Sequence, residues 1–198
     1  MKPDHGPRRS KVPEIAAVER IRLESQADAG GVCTQVFHRE WHLGIHPVQW
    51  NAVQSEANVL RGVHVHVVHE DYFVLLKGRM RLGLRDLRPG SLTEGNTAVL
   101  DLKAEPLEAV CIPPGVAHGF YFTRRSLHLY SVSHYWTLAD ELGCHWSDPE
   151  LRLDWRVREP LLSQRDASAG SLRELVETVR TRLREGGPLV NVRAALEQ

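Results

Sequence analysis

Arg61-Gly62-Val63-His64-Val65-His66-Val67-Val68-His69-Glu70-Asp71-Tyr72-Phe73-Val74-Leu75-Leu76 is the stretch that decides the fold. Its first half is rich in β-branched residues, which suit a pleated strand. Its second half is a continuous apolar run, stopped by Lys77-Gly78. Just beyond, Met80, Leu82 and Leu84 alternate with Arg81, Gly83 and Arg85, the period-two pattern of a half-buried strand. Arg88-Pro89-Gly90-Ser91 then reads as a turn. Further strands are expected over 96–102, 107–112, 119–122 and 127–136. Many short strands at close spacing predict an all-β protein, an antiparallel barrel or jelly roll.

The flanks differ from this middle. Residues 1–11 mix Pro, Gly and basic side chains and read as a mobile tail. The barrel is expected over 12–166, with 167–198 as a helical extension of the same domain. Residues 143–158 hold Trp and Pro in an irregular pattern and are expected to wrap against the barrel. Leu172, Leu175, Val176, Val179 and Leu183 recur at helical spacing. Ser171 offers an N-cap, Glu174 completes a capping box, and Gly186-Gly187 ends the helix.

Composition excludes several function classes. The 198 residues suit one sizeable core. Lys+Arg and Asp+Glu are 25 each, too balanced for a dedicated nucleic-acid binder. No apolar run is long enough to span a membrane. Residues 1–11 lack the apolar region of a secretory signal. The three cysteines, Cys33, Cys111 and Cys144, show no CxxC spacing and fit a reducing cytoplasm. The unusual feature is the 11 histidines, several of them clustered.

On a strand, His64 and His66 point to one face. Pro113-Pro114-Gly115-Val116-Ala117-His118 is a turn that would deliver His118 to the start of another strand. The HxH…E…G and PxGxxH runs match the general pattern of cupin barrels. That pattern implies His64, His66, Glu70 and His118 as the ligand set, should a divalent metal bind.

A more specific resemblance overlays the same residues. Val48-Gln49-Trp50-Asn51, Ser55 and Val59-Leu60-Arg61-Gly62-Val63-His64 resemble a stretch of the dTDP-4-dehydrorhamnose 3,5-epimerases. So do Asp86-Leu87-Arg88-Pro89-Gly90-Ser91 and Pro114-Gly115-Val116-Ala117-His118-Gly119-Phe120. The segment from Tyr130 to Tyr135, Gly143-Cys144-His145-Trp146-Ser147-Asp148-Pro149, and Leu162-Ser163-Gln164-Arg165-Asp166 follow in the family's order. The resemblance implies a double-stranded β-helix jelly roll of the cupin type. It further implies a homodimer and a nucleotide-linked 4-keto-6-deoxyhexose as substrate.

In such a sugar the C4 ketone acidifies the hydrogens at C3 and C5. Epimerisation removes a proton from one face and returns one to the other, through an enolate. The resemblance implies His64 as base, Asp166 as its orienting carboxylate and Tyr130 as acid. Arg61, Gln49, Asn51, Asp86, His118, His66 and Trp146 are expected to bind substrate or support the site. No cofactor is required, and the metal site is expected to be empty because a ligated His64 could not also take a proton. One departure stands out: counting back from Gly78, Asp71 falls where the family has a lysine that stabilises the enolate. The rivals are a 3,4-ketoisomerase using the same enolate, a metal-binding cupin of other chemistry, and a non-catalytic ligand barrel.

Overall fold

The computed structural model describes residues 7–135 and 142–184. In chain order the strands are β1 (Arg8–Lys11), β2 (Glu19–Arg22), β3 (Ser25–Asp28), β4 (Gly31–Thr34), β5 (Gln49–Ser55), β6 (Leu60–Val65) and β7 (Asp71–Lys77). They continue with β8 (Arg79–Asp86), β9 (Thr97–Lys103), β10 (Glu108–Ile112), β11 (Val116–Phe122), β12 (Ser126–Val132) and β13 (Leu142–Gly143). Two α-helices follow, α1 (Gln164–Ala167) and α2 (Leu172–Arg184).

One large sheet runs β1-β2-β10-β7-β12-β5 and a second β13-β6-β11-β8-β9, while β3 pairs with β4 in a separate two-stranded sheet. Their inner faces meet on Phe73, Leu75, Val110 and Ile112 from the first, and Met80, Leu82, Leu84 and Phe122 from the second. This is the expected antiparallel jelly roll. β7 reads as an unbroken apolar run because both its faces are covered: Phe73 and Leu75 enter the inter-sheet core, while Tyr72 and Val74 pack outward with Ile21, Leu23 and Ile45.

The outer face of the second sheet is covered by the chain after β13. Trp155 lies flat on β8, so that a Cβ at Gly83 would stand 2.4 Å from its ring. That contact explains a glycine inside an otherwise regular strand. Leu172, Leu175 and Val179 of α2 add to this layer. The capping box is present: the Ser171 amide donates to Glu174 Oε2 at 2.8 Å, and the Glu174 amide donates to Ser171 Oγ at 3.2 Å. Gly186-Gly187, the expected stop, lies outside the described residues.

Two sequence expectations need correction. Residues 8–11 are not a free tail but pair antiparallel with β2, Arg8 opposite Arg22 and Lys11 opposite Glu19. All four are exposed, so no apolar alternation marked them as a strand; backbone pairing with β2 places them, helped by Arg9, whose guanidinium donates to the Trp41 and His42 carbonyls. The last barrel strand, expected over 127–136, ends at Val132, and Trp136 lies outside the described residues.

The detail that shapes the site is in β6. His64 pairs with His118 of β11, and Arg61 pairs with Phe120. Three steps along β6 therefore face two along β11, a β-bulge that reverses the side-chain alternation. Arg61 and His64 consequently share the inner face, while Leu60, Val63 and Val65 pack outward. The bulge centres on Gly62, with φ +108° and a virtual Cβ 2.9 Å from both Gly119 Cα and the His118 carbonyl oxygen. Both are backbone atoms, so no side chain can move to make room. Gly62→Ala is expected to destabilise the fold by about 1–3 kcal/mol or more, from the disfavoured φ and the clash together. Urea unfolding checks this; unchanged stability would contradict the close approach.

Candidate active site

At one end of the barrel the two sheets part around a cavity of about 350 Å³. Val53 from β5, Asp71 and Phe73 from β7, and His128, Tyr130 and Val132 from β12 form one wall. Arg61, His64, His118 and Phe120 from β6 and β11 form the other, with His66 and His69 on the β6–β7 loop. Ser163, Arg165 and Asp166 close the edge. A larger, more open groove of about 670 Å³ runs along 146–158 on the outer face. It lacks convergent imidazoles, so the inner cavity is the better candidate.

His64 Nε2 lies 2.7 Å from Asp166 Oδ1. Asp166 is held there by α1, whose N-cap Ser163 accepts the Asp166 amide hydrogen at 3.1 Å. Burial alone would raise the Asp166 carboxyl, but the hydrogen bond and charge of His64, with donors from Ser163 and Gly62, hold it below its ordinary range. An ionised Asp166 fixes Nε2–H on His64 and leaves Nδ1 with a lone pair. Arg165 Nη2 stands 2.8 Å from the same Nε2; since arginine only donates and Nε2–H is committed to Asp166, this approach brings the guanidinium charge to Asp166, at 3.8 Å, and is not a hydrogen bond to the ring. The His64–Asp166 contact expected from the sequence is thus formed between residues 102 positions apart.

Tyr130 reaches the cavity from the opposite sheet. Burial raises its phenol, Asp71 adds to this and Arg61 opposes it, so the hydroxyl keeps its proton at neutral pH. His118 Nδ1 donates to the Val116 carbonyl at 3.1 Å, which turns Nε2 inward. Burial pulls His118 down to about 4 and His128 down to about 4, so both are neutral imidazoles at pH 7. Arg61 lines the cavity with Nε donating to Ser55 Oγ at 3.1 Å.

Several expected residues fall elsewhere. Glu70 does not enter the cavity: neighbours on a strand face opposite ways, and the inward position belongs to Asp71. The ligand set His64, His66, Glu70 and His118 is therefore not assembled. His64 is taken up by Asp166, and the donor cluster that does form is His66, His69 and Asp71. Asp86 is structural, not part of the cavity. It is fully buried and accepts from Arg88 Nε at 2.8 Å, Arg88 Nη2 at 2.7 Å, Ser91 Oγ at 2.6 Å and Thr93 Oγ1 at 2.6 Å. Trp146 lines the outer groove, where its carbonyl accepts from Trp155 Nε1 at 3.1 Å. Gln49 and Asn51 share a face of β5 with Val53 but do not line the cavity, and Gln49 Nε2 donates to Asn51 Oδ1 at 3.1 Å.

Sequence reasoning missed His69 and His128 as cavity residues. His128 was findable, because it lies two before Tyr130 and shares its face. Asp71, the departure from the family pattern, lies two before Phe73 and shares its inward face. Burial, followed by the nearby Glu70, pushes its carboxyl well above the usual range.

Comparison with known proteins gives the family. A family model described as dTDP-4-dehydrorhamnose 3,5-epimerase matches residues 12–174. The chain is 33% identical over 169 residues to dTDP-4-dehydrorhamnose 3-epimerase of Streptomyces niveus, covering 81% of this chain and 82% of that one. It is 35% identical over 131 residues to dTDP-4-dehydrorhamnose 3,5-epimerase of Pseudomonas aeruginosa, covering 61% and 71%. Among solved structures, a 4-keto-6-deoxy sugar epimerase from the novobiocin gene cluster of Streptomyces spheroides superposes with TM-score 0.79 at 30% identity, over 96% of each chain. The 3,5-epimerase of Legionella pneumophila, in complex with dTDP-4-keto-L-rhamnose, gives 0.75 at 30% identity, over 81% and 93%. With a matching family model over most of its length and relatives of this likeness, the chain belongs to the dTDP-4-dehydrorhamnose 3,5-epimerase family.

Proposed function

We propose that the protein is an isomerase that epimerises a nucleoside-diphosphate-linked 4-keto-6-deoxyhexose at C3, at C5 or at both. The observation that carries this reading is the His64–Asp166 pair facing Tyr130 across one cavity from opposite sheets. A cavity of about 350 Å³ takes one hexose ring, with the diphosphate and nucleoside at its mouth. Arg61 and the exposed Arg165 border that mouth with guanidinium groups suited to phosphate oxygens.

In the forward step, His64 Nδ1 takes the proton from the carbon beside the ketone, and the electron pair moves onto the C4 oxygen. Asp166 stabilises the imidazolium. The Tyr130 hydroxyl gives a proton to the opposite face of the same carbon, the enolate collapses to the ketone, and solvent exchange restores both groups. The ketoisomerase rival would use the same enolate but return the proton at C4. The relatives named above are epimerases, which favours return at C3 or C5. A homodimer fits the apolar side chains left exposed on one face, Val48 and Trp50 of the β5 region; light scattering at micromolar concentration would read twice the monomer mass, and a monomer would refute it.

The test is to incubate dTDP-4-keto-6-deoxyglucose with the protein and read the products by proton NMR. Inversion at C3, with or without C5, is expected; a 3-keto product would favour the isomerase, and an unchanged sugar would overturn both. Two variants separate the roles. His64→Ala should lower kcat by about 10²–10⁴, the usual contribution of a positioned base, with little change in dTDP affinity. Asp166→Asn should fall in the same direction by less. Tyr130→Phe should lose turnover by a similar factor to His64→Ala. Its alkaline limb bears on the role too: because the Tyr130 phenol is raised, wild-type activity should not fall for want of that proton until above about pH 10. A Tyr130→Phe enzyme at near wild-type rate would remove the acid assignment.

A further inference from the structure

We propose that His66, His69 and Asp71 bind a divalent first-row transition-metal ion on the wall of this cavity. All three are buried, and one ligand atom from each lies within 4.8 Å of the others. His66 Nε2 stands 3.9 Å from Asp71 Oδ2, and His69 Nε2 stands 3.8 Å from Asp71 Oδ1. These separations are too long for hydrogen bonds. They approach the spacing of two donors that share one ion at about 2.1 Å from each. The two imidazole rings are stacked, centroids 4.0 Å apart at 28°, so both present an edge to the same carboxylate.

A second feature points the same way. His118 Nε2 lies 3.8 Å from Asp71 Oδ2, and its ring is fixed by the Nδ1–H bond to the Val116 carbonyl. A backbone carbonyl that fixes one ring nitrogen and frees the other is the usual support for a metal-binding histidine. Asp71 is thus ringed by three imidazoles, none at hydrogen-bond distance. Two imidazoles and one carboxylate suit Fe, Mn, Co, Ni or Zn and leave coordination positions open toward the cavity. The site uses neither His64 nor Glu70, so it does not compete with the base.

The role we assign to the ion rests on the epimerase reading, though its binding does not. Bound at Asp71, the ion would face the C4 oxygen as negative charge develops there. It would supply the positive charge that the family resemblance assigns to a lysine at this position.

The experiment uses protein made without an affinity tag, stripped with chelator and dialysed. Zn²⁺ and Co²⁺ are titrated by calorimetry, and Co²⁺ also by its visible absorption. One ion per chain is expected, with a Co²⁺ band characteristic of nitrogen and oxygen ligands. Asp71→Asn keeps the side chain's size and should weaken binding by about tenfold or more, as even supporting groups around a metal do. His69→Ala should abolish it, while the exposed His42→Ala should leave it unchanged. Absence of saturable binding in wild type would overturn the site, as would binding undiminished in both Asp71→Asn and His69→Ala. Turnover by stripped protein at the full rate would overturn the ion's role and leave the epimerase reading standing.

Discussion

The site depends on one extra residue in β6. A regular strand would send Arg61 and His64, three positions apart, to opposite faces. The bulge at Gly62 reverses the alternation, so a guanidinium and an imidazole look into the same cavity while Val63 and Val65 pack the outer layer. That layer in turn carries Trp155 and α2, and the chain between them carries α1 with Asp166. The outer packing and the inner chemistry are therefore coupled through a single irregularity. A glycine is required there because β11 passes within contact distance of where a side chain would begin.

The cavity separates its titratable groups by environment. Asp166 is kept ionised by the donors around it, whereas Asp71, buried beside Glu70, is driven the other way. His118 and His128 are held neutral by burial, and Tyr130 retains its proton. Carboxylates pushed apart in this manner mark sites where one group orients a base and another meets a different charge. His64 Nε2 stands 2.7 Å from the Asp166 carboxylate, and that contact is what the proposed role of base rests on.

Much of this was legible in the sequence, for physical reasons. Met80, Leu82 and Leu84 alternate because one face of β8 meets the core, and such alternation survives in any register. The capping residues Ser171 and Glu174 act locally, so their pattern identified the helix start correctly. The arrangement of His64, Tyr130 and Asp166 followed from motif order, not from periodicity. What failed needed three-dimensional information. Whether Glu70 or Asp71 points inward turns on where β7 begins, a one-residue question that composition does not answer. Asp86 belonged to a motif that looked functional, yet its neighbour Arg88 and the hydroxyls of Ser91 and Thr93 consume all its acceptor capacity. Arg8 to Lys11 carry no apolar pattern because an exposed edge strand needs none.

The central claim is that this cavity generates an enolate from a 4-keto sugar by removing a proton with His64. Solvent exchange reads that step directly. Wild-type protein is incubated with dTDP-4-keto-6-deoxyglucose in deuterium oxide, and the recovered sugar is analysed by NMR and mass spectrometry. The account predicts deuterium at C3, joined by C5 if both centres are inverted, and no incorporation at the remaining ring carbons. A sugar recovered without label at C3 or C5, from protein that binds dTDP normally, would contradict it.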